Sequence, residues 1–120
     1  MAEHNELGKK GEELALLHLK SLNYEILATN YKAGRDELDI VARDGQMLVV
    51  VEVKTRGSAF FGEPEAFVSR QKQRAIIRAA NHFIERKNFF GETRFDIVSI
   101  LVTPKGNQLN HIKDAFYPLV

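Results

Sequence analysis

The chain contains no cysteine among its 120 residues. Disulfides, a thiolate metal site and a cysteine nucleophile are therefore excluded. The composition fits a reducing compartment, and the cytoplasm is the expected location. No apolar run approaches the roughly 20 residues needed to cross a bilayer, so no membrane partner is expected. The start, Met1-Ala2-Glu3-His4-Asn5-Glu6, is polar and lacks the apolar core of a signal peptide. An excess of one charge is missing too: 17 basic and 16 acidic residues leave a formal net charge of +1. Neither G-x-x-x-x-G-K-S/T nor G-x-G-x-x-G occurs, which argues against a nucleotide-binding loop. His4, His18, His82 and His111 show no paired metal spacing, so zinc is not expected. Without repeats, low-complexity stretches or a linker, residues 1–120 read as a single domain. That length buries a core without staples.

What is present is a pattern of alternating elements. Asn5 to Leu22 reads as a helix, with Gly8, Gly11, Ala15, Leu19 and Leu22 recurring at three- and four-residue steps. Tyr24 to Tyr31 is β-prone, and Lys32 to Asp36 reads as a loop. Glu37 to Ala42 and Met47 to Thr55 form an expected hairpin, with Asp44-Gly45 as its turn signal. Arg56 to Phe67 reads as an irregular loop. Ser69 is a natural N-cap for a second helix through about Lys87, with Ile76, Ala79, Ala80, Phe83 and Ile84 inward. Arg94 to Val102 and Leu109 to Phe116 complete the set. The order α-β-β-β-α-β-β predicts an α/β fold, a central sheet flanked by helices.

The hairpin carries charges where a buried strand should carry none. Glu52 and Lys54 sit two apart in a run of valines, so they share a face. The hairpin would set Asp39 beside them. Unpaired charges there cost several kcal/mol or shift their ionisation, and adjacent carboxylates repel. A divalent cation bridging Asp39 and Glu52, with Lys54 alongside, removes the conflict. Mg²⁺ (or Mn²⁺) suits such a site because it takes oxygen ligands and one or two carboxylates. The bland alternative is a sheet-edge Glu52–Lys54 ion pair with Asp39 solvated. Arg70, Lys72, Arg74, Arg78, Arg86 and Lys87 crowd one segment in which Glu85 is the sole acid, and this basic face is compatible with a polyanion.

The spacing Asp39…Glu52-Val53-Lys54 resembles the PD-(D/E)XK superfamily, the restriction-endonuclease-like nucleases. More narrowly, the chain resembles the YraN-like bacterial family. The matching pieces are Gly8-x-x-Gly11-Glu12 with Ala15, Glu37-Leu38-Asp39-Ile40-Val41-Ala42 and Val51-Glu52-Val53-Lys54-Thr55-Arg56. Phe61-Gly62-x-Pro64, Lys72, Arg94-Phe95-Asp96-Ile97-Val98 and Ala115-Phe116 follow. Two departures stand out: Asp36 replaces the family's usual glycine, and no proline precedes Asp39. The resemblance implies a restriction-endonuclease-like αβββαβ core with a mixed central sheet, metal-dependent phosphodiester chemistry and nucleic-acid binding. The layout is also similar to that of archaeal Holliday-junction resolvases. It carries Glu12, Asp39, Glu52 and Lys54 over as catalytic residues, with Glu12, Asp39 and Glu52 toward the metal.

Beyond these, each residue has two readings. Glu12 flanks the packed helix face and could reach a metal through water, or is a surface acid like Glu13. Glu37, two residues before Asp39, would lie on its face as a supporting group, or is an exposed strand-end charge. Arg56 and Lys72 could meet phosphate; Arg70, Arg74 and Arg78 fit either a solvated helix side or backbone contacts. Asp96 is expected to pair with Arg94 or cap a loop. Phe60-Phe61-Gly62 fits loop packing, base stacking or a dimer contact. The function expected is a metal-dependent endonuclease on DNA, including branched or repair and recombination intermediates. Its competitors are a non-catalytic nucleic-acid-binding accessory and a purely structural or interaction domain. Cutting two strands from one metal centre suggests a homodimer.

Overall fold

The computed structural model describes residues 6–57 and 67–118. Most of the loop after the hairpin, including Phe60, Phe61, Gly62 and Pro64, lies outside these. The elements run α1 (Glu6–Ser21), β1 (Glu25–Ala33), β2 (Asp36–Asp44), β3 (Met47–Gly57), α2 (Arg70–Lys87), β4 (Thr93–Thr103) and β5 (Gly106–Phe116). The expected order is present. The strands outrun their sequence bounds because the turns are tighter than a propensity reading allows. The loop expected over Lys32 to Asp36 shrinks to Gly34-Arg35, and the β2–β3 turn is Gly45-Gln46. Gly34 (φ 64°) and Gly45 (φ 61°) each take the first central position of a two-residue turn, where positive φ matches the strand twist.

The strands form a mixed five-stranded sheet in the order β1-β2-β3-β4-β5. Only β3 and β4 are parallel, and α2 makes the crossover between them. α2 begins at Ser69, whose hydroxyl accepts from the Lys72 backbone N–H at 3.1 Å. It ends at Asn88 in left-handed conformation, φ 51°.

Each sheet face has its own core. Under α2, Ile76, Ala79, Ala80 and Phe83 pack on Leu38, Val41, Leu48, Val50 and Phe95. Under α1, Ala15 and Leu19 pack on Ile40, Ala42, Val49, Val51, Val98 and Ile100. Along β3 the alternation is clean: Val49, Val51 and Val53 face α1, so Glu52 and Lys54 share the α2 side with Leu48 and Val50. Leu22, expected on the packed helix face, falls beyond α1 and is exposed.

α1 lies close on β3. A Cβ placed on Gly11 would come within 1.8 Å of the Thr55 hydroxyl oxygen and 2.8 Å of its Cβ. Only glycine permits that approach.

Asp96 ties the layers together. Fully buried, it takes two hydrogen bonds from Arg94 (2.8 and 2.9 Å), one from His111 (2.8 Å) and one from the Asp114 backbone N–H (3.0 Å). Arg94 also donates to the Tyr24 hydroxyl at 2.9 Å, and His111 Nδ1 meets His18 Nε2 of α1 at 3.0 Å. Of the two expectations for Asp96, pairing with Arg94 is realised, while the backbone N–H it accepts belongs to Asp114 within β5 and not to a loop.

Candidate metal centre

The sheet forks where the acids sit. The β2–β3 ladder ends at the pair Ile40↔Val51. Past that point β3 stays paired to β4 as far as Gly57, and β2 stays paired to β1 back to Asp36. Asp39 and Glu52 are the next residues out, facing each other across the opening. One carboxylate oxygen of Asp39 accepts from the Val53 backbone N–H at 2.8 Å. A side chain thus takes the place of the missing ladder partner and fixes the carboxyl at the fork.

The pair has little access to water, and that governs its ionisation. Burial, and then the neighbouring charge of Glu52, push Asp39 up to about 8. Burial also raises Glu52, against the opposing pull of Lys72, a hydrogen bond from Asp39 and Lys54. Raised to about 8, Asp39 keeps its proton at neutral pH and can donate it toward Glu52.

Cations come from two directions. Lys72 Nζ lies 3.7 Å from a Glu52 carboxylate oxygen. Lys72 stays solvent-exposed and reaches Glu52 as a long ion pair. Lys54 lines the same crevice, about 220 Å³, together with Glu52, Phe67, Val68, Ser69 and Lys72. Its ammonium donates to the Phe67 carbonyl, anchoring the chain that enters α2. A second cavity of about 530 Å³ continues outward from Ser69 and Lys72 to Arg35, Asp36 and Arg78.

Glu12 arrives from the opposite face. Its charge adds to the elevation of Asp39, and it accepts from the Asn30 side-chain amide at 3.4 Å. The surface-acid reading fails for Glu12; it stands beside the fork.

Other expected residues gather less closely. Glu37 pairs with Lys32 at 3.6 Å. The period-two argument placing Glu37 on the Asp39 face breaks down here, because Leu38 joins the core under α2 and Ile40 that under α1. The strand turns over between them. Arg56 is half-buried further along β3, level with Leu101. Arg70 and Arg74 line a separate cavity of about 340 Å³ with Tyr117 and Pro118, away from the acids. Arg78 is not simply a solvated side chain: its guanidinium grips Asp36 with two bonds of 3.0 and 3.1 Å. Asp36, departing from the family glycine, therefore starts β2 and links it to α2, while Gly34 serves the turn.

Sequence reasoning missed Asn30 and the His18–His111 contact. The two histidines are 93 positions apart, and nothing local relates them. Asn30 did carry a signal, an amide in the middle of an otherwise β-prone strand.

The donors around the fork are all oxygens, which suits Mg²⁺ or Mn²⁺. Among the described residues no group of three or more His, Asp or Glu side chains is gathered to hold a metal ion. A cation here would rest on Asp39 and Glu52 and complete its shell with water and neutral oxygens, the usual habit of Mg²⁺. A buried proton-sharing pair fits that role, since the ion replaces the proton.

Fold and centre together define a small α/β protein with a forked mixed sheet, a buried carboxylate pair and a basic helix start above it. The model of the Uncharacterised protein family UPF0102 matches residues 11–100, and the chain belongs to that family. It is 46% identical over 117 residues to a UPF0102 protein of Christiangramia forsetii, covering 98% of both chains. It is 48% identical over 121 residues to one of Flavobacterium johnsoniae, again at 98% of both. A Porphyromonas gingivalis relative is 42% identical over 118 residues, 97% of this chain and 87% of its own. Among the described residues no helix is long and apolar enough to cross a membrane.

Proposed function

We propose that this protein is a divalent-metal-dependent endonuclease of the PD-(D/E)XK type, with a restriction-endonuclease-like core, acting on DNA. The observation carrying this reading is the pair of carboxylates at the fork, with Asp39 pushed up to about 8 by burial and by Glu52. A purely structural pair gains nothing from being buried together, since a well-packed apolar pair serves stability as well or better.

Asp39 and Glu52 would hold Mg²⁺ or Mn²⁺. Such an ion, when bound, lowers the pKa of a coordinated water and neutralises phosphate charge. Lys54 would orient the attacking water from the wall of the crevice it shares with Glu52 and Lys72. The water oxygen bonds to phosphorus and gives up a proton to solvent, the bond from phosphorus to the departing sugar oxygen breaks, and that oxygen takes a proton from solvent. Lys72, at the first turn of α2 and 3.7 Å from Glu52, would meet the substrate phosphate. The groove running outward past Arg35 and Arg78 gives the backbone a cationic path. Branched substrates and a homodimer with two centres extend the same reading.

Purified protein with Mn²⁺ is incubated with single strands, duplexes, flaps and four-way junctions. Cleavage of at least one is expected, with Asp39→Asn and Glu52→Gln each slower by about a hundredfold or more, the scale for removing one charge-stabilising group. If all four substrates stay intact while binding persists independently of metal and weakens steeply with salt, the accessory-module reading replaces this one.

A further inference from the structure

The β1 strand contains an irregularity that its fold does not need. Asn30 sits mid-strand with φ 49°, the left-handed region. In the β1–β2 ladder it falls between Thr29↔Ile40 and Tyr31↔Leu38, the place opposite Asp39, and that pair is skipped. Glycine would take this backbone conformation at least as readily. Asparagine tolerates this conformation too, as Asn23 and Asn88 do, so any use of this side chain lies in what its amide touches.

The two ends of that amide differ in what they meet. The NH₂ donates to Glu12 at 3.4 Å. A carboxylate only accepts, so the atom turned to Glu12 is the nitrogen and the one left over is the oxygen. That oxygen is buried and has no hydrogen-bond partner. A buried acceptor without a donor costs free energy, and its residue stands at the ladder position skipped opposite Asp39, bonded to a glutamate whose charge reaches Asp39. A hard cation fits this arrangement. Asp39 and Glu52 supply the charge, and further carboxylates would only deepen their repulsion. A neutral amide oxygen adds a ligand without adding charge.

We propose that Asn30 belongs to the cation centre. Its amide N–H positions Glu12, and its carbonyl oxygen enters the coordination shell of the ion held by Asp39 and Glu52. This rests on the metal-centre reading above.

The test is Mn²⁺ binding by calorimetry at pH 8, comparing the whole wild-type chain, Asn30→Gly and Asp39→Asn. Asn30→Gly keeps the left-handed backbone accessible and removes only the amide. Its Mn²⁺ dissociation constant is expected to rise about tenfold, the lower end for losing a supporting group at a metal site. An unchanged constant, within twofold, would overturn the proposal while leaving the metal centre standing. If wild type takes up no Mn²⁺, or Asp39→Asn takes it up equally well, the centre itself is absent and the proposal goes with it. A second readout does not depend on how the variant folds. In wild type, the Asn30 side-chain amide resonance should move with Mg²⁺ along the same isotherm as the global change. A stationary resonance at saturating Mg²⁺ would equally overturn the assignment.

Discussion

At the scale of single residues, the protonation of Asp39 couples three properties. A carboxyl held at about 8 carries its proton at neutral pH, and a cation must displace it. Mn²⁺ affinity should therefore rise about tenfold per pH unit between roughly 6 and 8, one proton being released per ion bound, and level off above that. Calorimetry in two buffers of different ionisation enthalpy measures the proton count. Asp39→Asn should lose both the binding and the pH slope; retention of the slope would place the released proton elsewhere. The residues behind this were unequally visible in the sequence. Asp39, Glu52 and Lys54 stood out because period-two geometry is reliable in a strand and a hairpin fixes the partner. Lys72 was expected to meet phosphate, but its pairing with Glu52 was hidden, since helical spacing says which side a lysine leaves from but not what it reaches. Asn30 was hidden because a left-handed residue inside a strand is set by tertiary contacts. Glu37 was misplaced for a related reason: the strand turns over beside Asp39, and alternation cannot be carried across such a point.

At the scale of elements, α1 and β3 are held in contact by what Gly11 lacks. Glu12 follows immediately, so the same close approach delivers it to the fork. Gly11→Ala should force α1 away from Thr55. Thr55 cannot simply swing aside, because its Cβ as well as its hydroxyl lies within the clash distance. A loss of about 1–3 kcal/mol is expected, typical of overpacking, read as a lower urea midpoint. Mn²⁺ affinity should fall with it as Glu12 withdraws. Stability lost with affinity intact would show that Glu12 contributes nothing to the centre. The glycine spacing of α1 announced a small-residue contact in the sequence, but not its partner. Thr55 lies 44 positions away, and only the sheet order brings it under the helix. The bounds of α2 were legible because its caps are local chemistry: Ser69 bonds the first turn, and Asn88 closes the last. The strand ends were less so, since glycine turns of two residues let pairing extend where composition suggested loop.

At the scale of the whole molecule, buried Asp96 and half-buried Asp39 make opposite demands on pH. Asp96 is held below the usual carboxylate range: burial opposes this, but hydrogen bonds from His111 and Arg94 outweigh it. Its contribution to stability is complete above its unfolded value near 4 and is lost as pH falls through its lower folded value. His18 adds to the same limb, lowered by burial and by His111, so its contribution fades in acid as well. Asp39 has the reverse sign. Raised in the fold, it stabilises fully below its unfolded value of about 4 and loses that contribution progressively as pH climbs to about 8. Glu52, also raised, acts in the same direction. The metal-free protein should therefore be most stable in mildly acidic solution, with a higher urea midpoint at pH 5.5 than at pH 8.5. Asp39→Asn should flatten the alkaline limb. Saturating Mn²⁺ should do so too, by filling the ionised pair, adding about 2.7 kcal/mol at a hundred times its dissociation constant. Asp96→Asn should act on the other side. It weakens the acid limb and costs about 3 kcal/mol or more by leaving Arg94 without its buried partner. Urea titrations from pH 4 to 9 on the three proteins measure all of these. A flat alkaline limb in the metal-free wild type would mean that the fork does not hold its carboxyls protonated, and the predicted release of a proton on Mn²⁺ uptake would go with it.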